Sequence, residues 1–259
     1  MNVVEVHHEV RGPDGAPWVL MANSLGSDLR MWRPQADVLA TRYRVVRYDM
    51  RGHGRSPAPA GPYALADLAG DALALLDRLG VERAHVVGLS LGGMVGLQLA
   101  ATAPDRIDRM VLCCTAAHLP PAQNWRDRAA TVRSAGMAAI SGTVVGRWLT
   151  PAFASAAPGL VEQLRAMVDA TPPEGYAGCC EAIAAMDLRP QLGQIIAPTL
   201  LVAGADDPAT PVQHAQRIAE ALADARVVTV GPAAHLANLE QPTAVTQHIL
   251  GHLRNGARP

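Results

Sequence analysis

The stretch Gly88-Leu89-Ser90-Leu91-Gly92 sets one serine hydroxyl between an apolar run and a segment of helical spacing. Glycines two residues to either side, with Gly93 beyond, leave room for a sharp turn that would lift the hydroxyl into a cleft. A helix starting just after it would aim its positive end at the same point. A serine is a poor nucleophile until a base takes its proton, and an imidazole base needs a carboxylate to orient it. Two later loops carry those side chains. "GADDPATP" holds Asp206 and Asp207, and "GPAAHLANLEQP" holds His235. Either loop alone reads as a turn or a surface histidine. In the order serine, acid, histidine, each just past a strand pattern, they form a candidate triad for acyl transfer. The oxyanion that develops in such chemistry needs N–H donors. Leu91, directly after the serine, supplies one, and the loop Asn23-Ser24-Leu25-Gly26 is expected to supply another.

These residues need a scaffold that brings distant loops together. Strand patterns begin at Trp18, Tyr43, Ala84, Arg109, Pro198 and Ala225, and several are apolar almost throughout, as in a sheet buried on both faces. Helical patterns alternate with them: "LADLAGDALALLDRLG" ends on Gly80 as a cap, "VQHAQRIAEALA" follows the acid loop, and "PTAVTQHILGHL" starts at Pro242. The alternation predicts an α/β fold with a doubly wound, mostly parallel sheet. Residues 118–192 break the rhythm with helical spacing, prolines at Pro120, Pro121, Pro151, Pro158, Pro172 and Pro173, and no convincing strand. They read as a helical cap inserted between strands of a core made of 1–117 and 193–259.

Composition excludes other chemistries. All 22 basic residues are arginine, so Schiff-base lysines and P-loop nucleotide sites are ruled out. A net charge of -1 gives no case for nucleic acid, and no apolar run reaches membrane-spanning length. The four cysteines fall in two adjacent pairs, Cys113-Cys114 and Cys179-Cys180, without metal or redox spacing, and read as small buried apolar groups in a reduced cytoplasmic protein. Only His248 and His252 have a metal pair's helical spacing. No acid lies near enough to complete a set, they are expected to face solvent, and no metal site is expected. The oligomeric state is left open.

With these motifs in place, the chain resembles the α/β hydrolases from about Trp18 to Leu253. "RYDMRGHGRS" resembles a recurrent tight turn of that fold, in which Arg51, Gly52 and Gly54 are architectural and His53 is a structural turn residue. The resemblance favours Asp207 over Asp206 as the acid, because Asp207 precedes proline and lies three residues after Gly204. It also assigns the second oxyanion donor to Leu25; Asn23 either supports that loop or forms a purely structural Asx turn. "MANSLGSDLRMW" and "GYAGCCEAIAAMDLRPQL" resemble the oxyanion loop and cap-to-core segment of 3-oxoadipate enol-lactone hydrolases. That resemblance implies a small-molecule lactone substrate, opening of its ring through an acyl-enzyme, and no cofactor. It also implies a carboxylate to be anchored, for which the cap offers Trp125, Arg128, Arg133 and Trp148. Another esterase or lactonase, one acting on acyl-homoserine lactones, or a perhydrolase would carry the same triad. A small pocket with an arginine distinguishes the enol-lactone reading from a large apolar one. A non-catalytic receptor would have lost or displaced a triad member, and all three are present.

Overall fold

The computed structural model describes residues 3–254. Seven strands form one sheet in the order β1-β3-β2-β4-β5-β6-β7. They are β1 (His8–Arg11), β2 (Trp18–Ala22), β3 (Arg44–Tyr48), β4 (Ala84–Leu89), β5 (Ile107–Cys113), β6 (Thr199–Gly204) and β7 (Ala225–Val230). All pairings are parallel except that of β1 with β3. Every residue of β4 and of β6 is buried, in keeping with their unbroken apolar runs. β1 is the strand that sequence periodicity does not reveal. "HEVR" is short, polar and only half-buried, and its conformation comes from pairing with β3 at the edge of the sheet.

Helices cover both faces. On one side α1 (Arg33–Leu39) packs with α10 (Ala237–Glu240) and α11 (Pro242–Arg254); α2 (Leu65–Arg78) and α3 (Leu91–Thr102) pack with each other, and α9 (Val212–Ala221) lies against β6 and β7. Gly80 takes φ +67° just past α2, the left-handed cap its position predicted. His252 departs from expectation: it is buried, and its Nε2 lies 3.0 Å from the Pro198 carbonyl, because the inner face of α11 packs on the sheet.

Between β5 and β6 stand five helices: α4 (Ala122–Ala135), α5 (Ala138–Trp148), α6 (Pro151–Ala156), α7 (Pro158–Asp169) and α8 (Pro173–Ala185). Three start with proline at the first helical position, where the missing N–H costs nothing. Pro121 and Pro172 stand at the cap positions of α4 and α8, so five of the seven prolines in residues 118–192 mark the starts of these helices.

Along the parallel strands, from β2 onward, the chain reverses its direction of travel across the sheet once. It steps from β2 outward to β3, then crosses back over β2 to β4 before continuing to β7. The loops after β2 and β4 therefore part from one another and open a crevice at the carboxyl ends of the strands, where sheets of this kind bind ligands.

Candidate active site

Ser90 sits in that crevice. β4 delivers it and α3 begins at the next residue, so the backbone turns within one residue, at φ 56° and ψ −114°. A non-glycine residue is strained there, and its surroundings hold it. The Ser90 N–H donates to the Cys113 carbonyl at 2.9 Å, and its own carbonyl accepts from the Thr115 hydroxyl at 2.7 Å. The glycines around it permit close contacts rather than flexibility. A Cβ on Gly92 would run into the Ala22 carbonyl of β2, and one on Gly88 into the backbone of Gly92.

The candidate acid and base come from neighbouring strands. β6 ends at Gly204 and leads to Asp207; β7 ends at Val230 and leads to His235. Asp207 Oδ2 accepts from His235 Nδ1 at 2.8 Å, and both side chains are buried. A carboxylate can only accept, so Nδ1 carries the proton and Nε2 is the basic nitrogen of the neutral ring. Asp207 also accepts from the Thr210 hydroxyl at 2.7 Å and from the N–H groups of Ala209 and Thr210. Burial pushes this carboxyl upward, but its attraction to the protonated form of His235 and these hydrogen bonds outweigh it and hold it at about 2. Asp206, the rival acid, is exposed, and its Oδ2 accepts from the Ala233 N–H at 3.2 Å, tying the acid loop to the base loop. Thr210 was not singled out in the sequence, although a hydroxyl three residues after an aspartate is a common turn-closing signal.

Ser90 and His235 line one cavity of about 400 Å³, together with Ser24 and Leu25. In the loop after β2, the Ser24 N–H points to the Met31 sulfur and the Gly26 N–H donates to His53 Nε2 at 2.9 Å. The Leu25 N–H, between them, donates to no protein group among the described residues. The same is true of the Leu91 N–H at the first position of α3, one of the donors a helix start leaves unpaired. His53 thus does more than fill a turn. Its Nδ1 donates to the Arg51 carbonyl at 3.1 Å, which leaves Nε2 to accept from the Gly26 N–H of the loop after β2. Burial pushes its pKa down to about 4, so the ring is neutral and able to accept at neutral pH. Asn23 Nδ2 donates to the Tyr48 carbonyl at 2.7 Å and fixes the base of the same loop to β3.

Of the four cap residues named from sequence, Trp125, Arg128 and Trp148 line the cavity. The Arg128 guanidinium lies 4.8 Å from the centre of the Trp125 ring. Arg133 does not reach the cavity. It is engaged by Glu174 and Glu181 of α8 on the outer surface, because α4 turns that face toward α8. Arg147, one residue before Trp148, also lines the cavity, although nothing in its sequence context separates it from a solvated helix-surface arginine. No aspartate or glutamate lines it, and neither Arg128 nor Arg147 has an acidic partner within salt-bridge distance among the described residues.

A family model described as the alpha/beta hydrolase fold matches residues 17–242. The chain belongs to the alpha/beta hydrolase family. It is 40% identical to a 3-oxoadipate enol-lactonase of Acinetobacter baylyi over 241 residues, covering 93% of this chain and 90% of that one. The solved enol-lactonase from Burkholderia xenovorans superposes with a TM-score of 0.95 at 42% identity, covering 97% of each chain. A thermophilic esterase from Thermogutta terrifontis, solved with malate bound, gives a TM-score of 0.93 at 29% identity, over 98% of this chain and 95% of that one. The protein is a hydrolase of this family. Among the described residues, no helix of this hydrolase is long and apolar enough to cross a membrane.

Proposed function

We propose that this hydrolase opens the ring of 3-oxoadipate enol-lactone through a serine acyl-enzyme. The observation that carries this reading is the cavity itself: Ser90 and His235 share it with two arginines and no acid. Such a lining suits a small substrate bearing a carboxylate away from its reacting carbonyl. At about 400 Å³ it suits a compact lactone better than a long acyl chain. The relatives named for the same activity support it at 40% and 42% identity.

In this reading His235 Nε2 takes the Ser90 proton as Oγ attacks the ring carbonyl. The N–H groups of Leu25 and Leu91 receive the oxyanion. Collapse breaks the ring C–O bond and expels an enolate, a better leaving group than an alkoxide. His235 returns its proton to that fragment, which becomes the ketone. Water, deprotonated by His235, then attacks the ester and releases Ser90 and a carboxylate. Asp207 holds the imidazole and stabilises its charged form throughout. Arg128, backed by the Trp125 ring, anchors the distal carboxylate, with Trp148 as part of the wall. Residues 118–192 act as the cap that supplies this wall. A cytoplasmic setting belongs to the same proposal, supported by four cysteines that pack as buried apolar groups.

A spectrophotometric assay on the enol-lactone, with 4-nitrophenyl acetate as a neutral control, tests the reading. Ser90→Ala is expected to lose both activities. Arg128→Met is expected to raise KM for the lactone roughly 10-fold or more, the size of one charge-assisted contact, and to leave the neutral ester unchanged. Ester hydrolysis without lactone turnover would overturn the substrate, and full activity in Ser90→Ala would overturn the mechanism.

A further inference from the structure

Glu240 stands out among the polar groups outside the triad. Its carboxylate is buried at 6% exposure, yet no arginine lies within salt-bridge distance among the described residues. An uncompensated buried carboxylate is costly unless hydrogen bonds replace its lost water. Here they do. Oε1 accepts from the Ala234 N–H at 2.6 Å, and Oε2 accepts from the Thr150 N–H at 3.0 Å and the Thr150 hydroxyl at 2.6 Å. A further bond runs beside it, from the Leu236 N–H to the Trp148 carbonyl at 2.8 Å. The two residues flanking His235 are therefore both fixed to the strip Trp148–Thr150 at the end of α5. Ala234 is held through Glu240 and Leu236 directly.

The same helix supplies much of the cavity wall, through Ile140, Thr143, Val144, Arg147 and Trp148. We infer that Glu240 is a positioning residue: it couples the α5 wall of the pocket to the backbone that carries His235, so that wall and base move as one unit. The inference rests on the proposed role of His235 as base. Thr150 is the other half of the coupling. Its hydroxyl donates to Glu240 while accepting from the Phe153 N–H at 3.3 Å, which fixes the start of α6 as well. A carboxylate is needed because the groups facing Glu240 are all donors; an amide would turn an N–H toward one of them.

The test compares Glu240→Gln, Thr150→Val, Thr150→Ser and the double variant Glu240→Gln/Thr150→Val. It measures kcat and KM on the lactone and on 4-nitrophenyl acetate, the pH midpoint of kcat/KM, and the His235 ring C–H shift by NMR. Misplacing a base by a fraction of an ångström predicts kcat losses of roughly 10–100-fold for Glu240→Gln and about 3–10-fold for Thr150→Val. Thr150→Ser keeps the hydroxyl and should stay within about twofold of the parent, and the double variant should be little worse than Glu240→Gln alone. The His235 resonance should move in Thr150→Val, a readout that needs no turnover and separates this inference from the assignment of substrate. If folded Glu240→Gln keeps kcat and the His235 shift while losing only melting temperature, Glu240 is merely structural and the inference falls. Should Glu240→Gln fail to fold, the Thr150→Val and Thr150→Ser pair decides: equal kcat in both overturns it.

Discussion

At the scale of single residues, the tightest constraint falls on Asp207. Four hydrogen bonds and the neighbouring imidazole hold its carboxyl at about 2 although it is buried. An unfolded aspartate titrates near 3.9, so its folded-state pKa is depressed. The resulting stabilisation is complete above about pH 4 and is lost as pH falls through about 2, and it amounts to about 2–3 kcal/mol. Asp207→Asn should flatten the acid limb of a stability-against-pH curve measured by urea denaturation. It should also lower kcat roughly 10³–10⁴-fold, because an amide can present the wrong partner to Nδ1. His53 acts at the same scale but on the oxyanion loop. His53→Leu leaves the Gly26 N–H buried without an acceptor, a cost of about 1–3 kcal/mol, and frees the loop that carries Leu25. kcat should fall more in His53→Leu than in His53→Gln, whose carbonyl can still accept; equal kinetics in the two would remove His53 from the positioning of that loop.

At the scale of elements, the crossing of β2, β4 and α3 decides how Ser90 is presented. Gly92 lies on the first turn of α3 against the Ala22 carbonyl at the end of β2. Gly92→Ala inserts a methyl where two backbones touch, and neither can give way as a side-chain end could. A loss of about 3 kcal/mol is expected from such overpacking, read as a lowered melting temperature, together with impaired acylation as the strand end and the Leu25 loop are pushed from Ser90. Most of these elements were legible beforehand. Six of seven strands announce themselves as apolar runs, five of them because they are largely buried, and β7, at the far edge, because it keeps the run Val227-Val228 although only Val230 is fully buried. β1 does not, since an edge strand with half-buried, charged side chains owes its shape to a partner remote in sequence. The inward turn of His252 was illegible for a related reason: its helix pattern fixes a period, and the sheet beneath decides how much of each face is covered.

For the whole molecule, charge is distributed rather than large. The net charge is -1, yet the cavity presents two arginines and no acid. An anionic substrate should therefore be drawn toward the pocket by a local field that salt screens. Between about 10 mM and 0.5 M salt, kcat/KM for the lactone should fall by roughly 2–10-fold while that for a neutral ester stays level. An identical salt response for both substrates would show that the arginines do not steer.

The sequence by itself determined the family and the order of the candidate chemical groups along the chain. A glycine-flanked serine, an aspartate and a histidine each follow an apolar strand, and strands that are buried on both faces are written plainly in composition. Only the tertiary structure decided which cap side chains meet the cavity. Trp125 and Arg128 lie three residues apart on α4 and so share a face, whereas Arg133, five residues further, is rotated by roughly 140°. The helical period fixes that relation but not which face turns inward. Packing of α4 against α8 makes the choice, sending Arg128 to the pocket and Arg133 to Glu174 and Glu181. Glu240 was hidden for the same reason: its partners, Ala234 and Thr150, lie six and ninety residues away, and only folding brings them to one carboxylate.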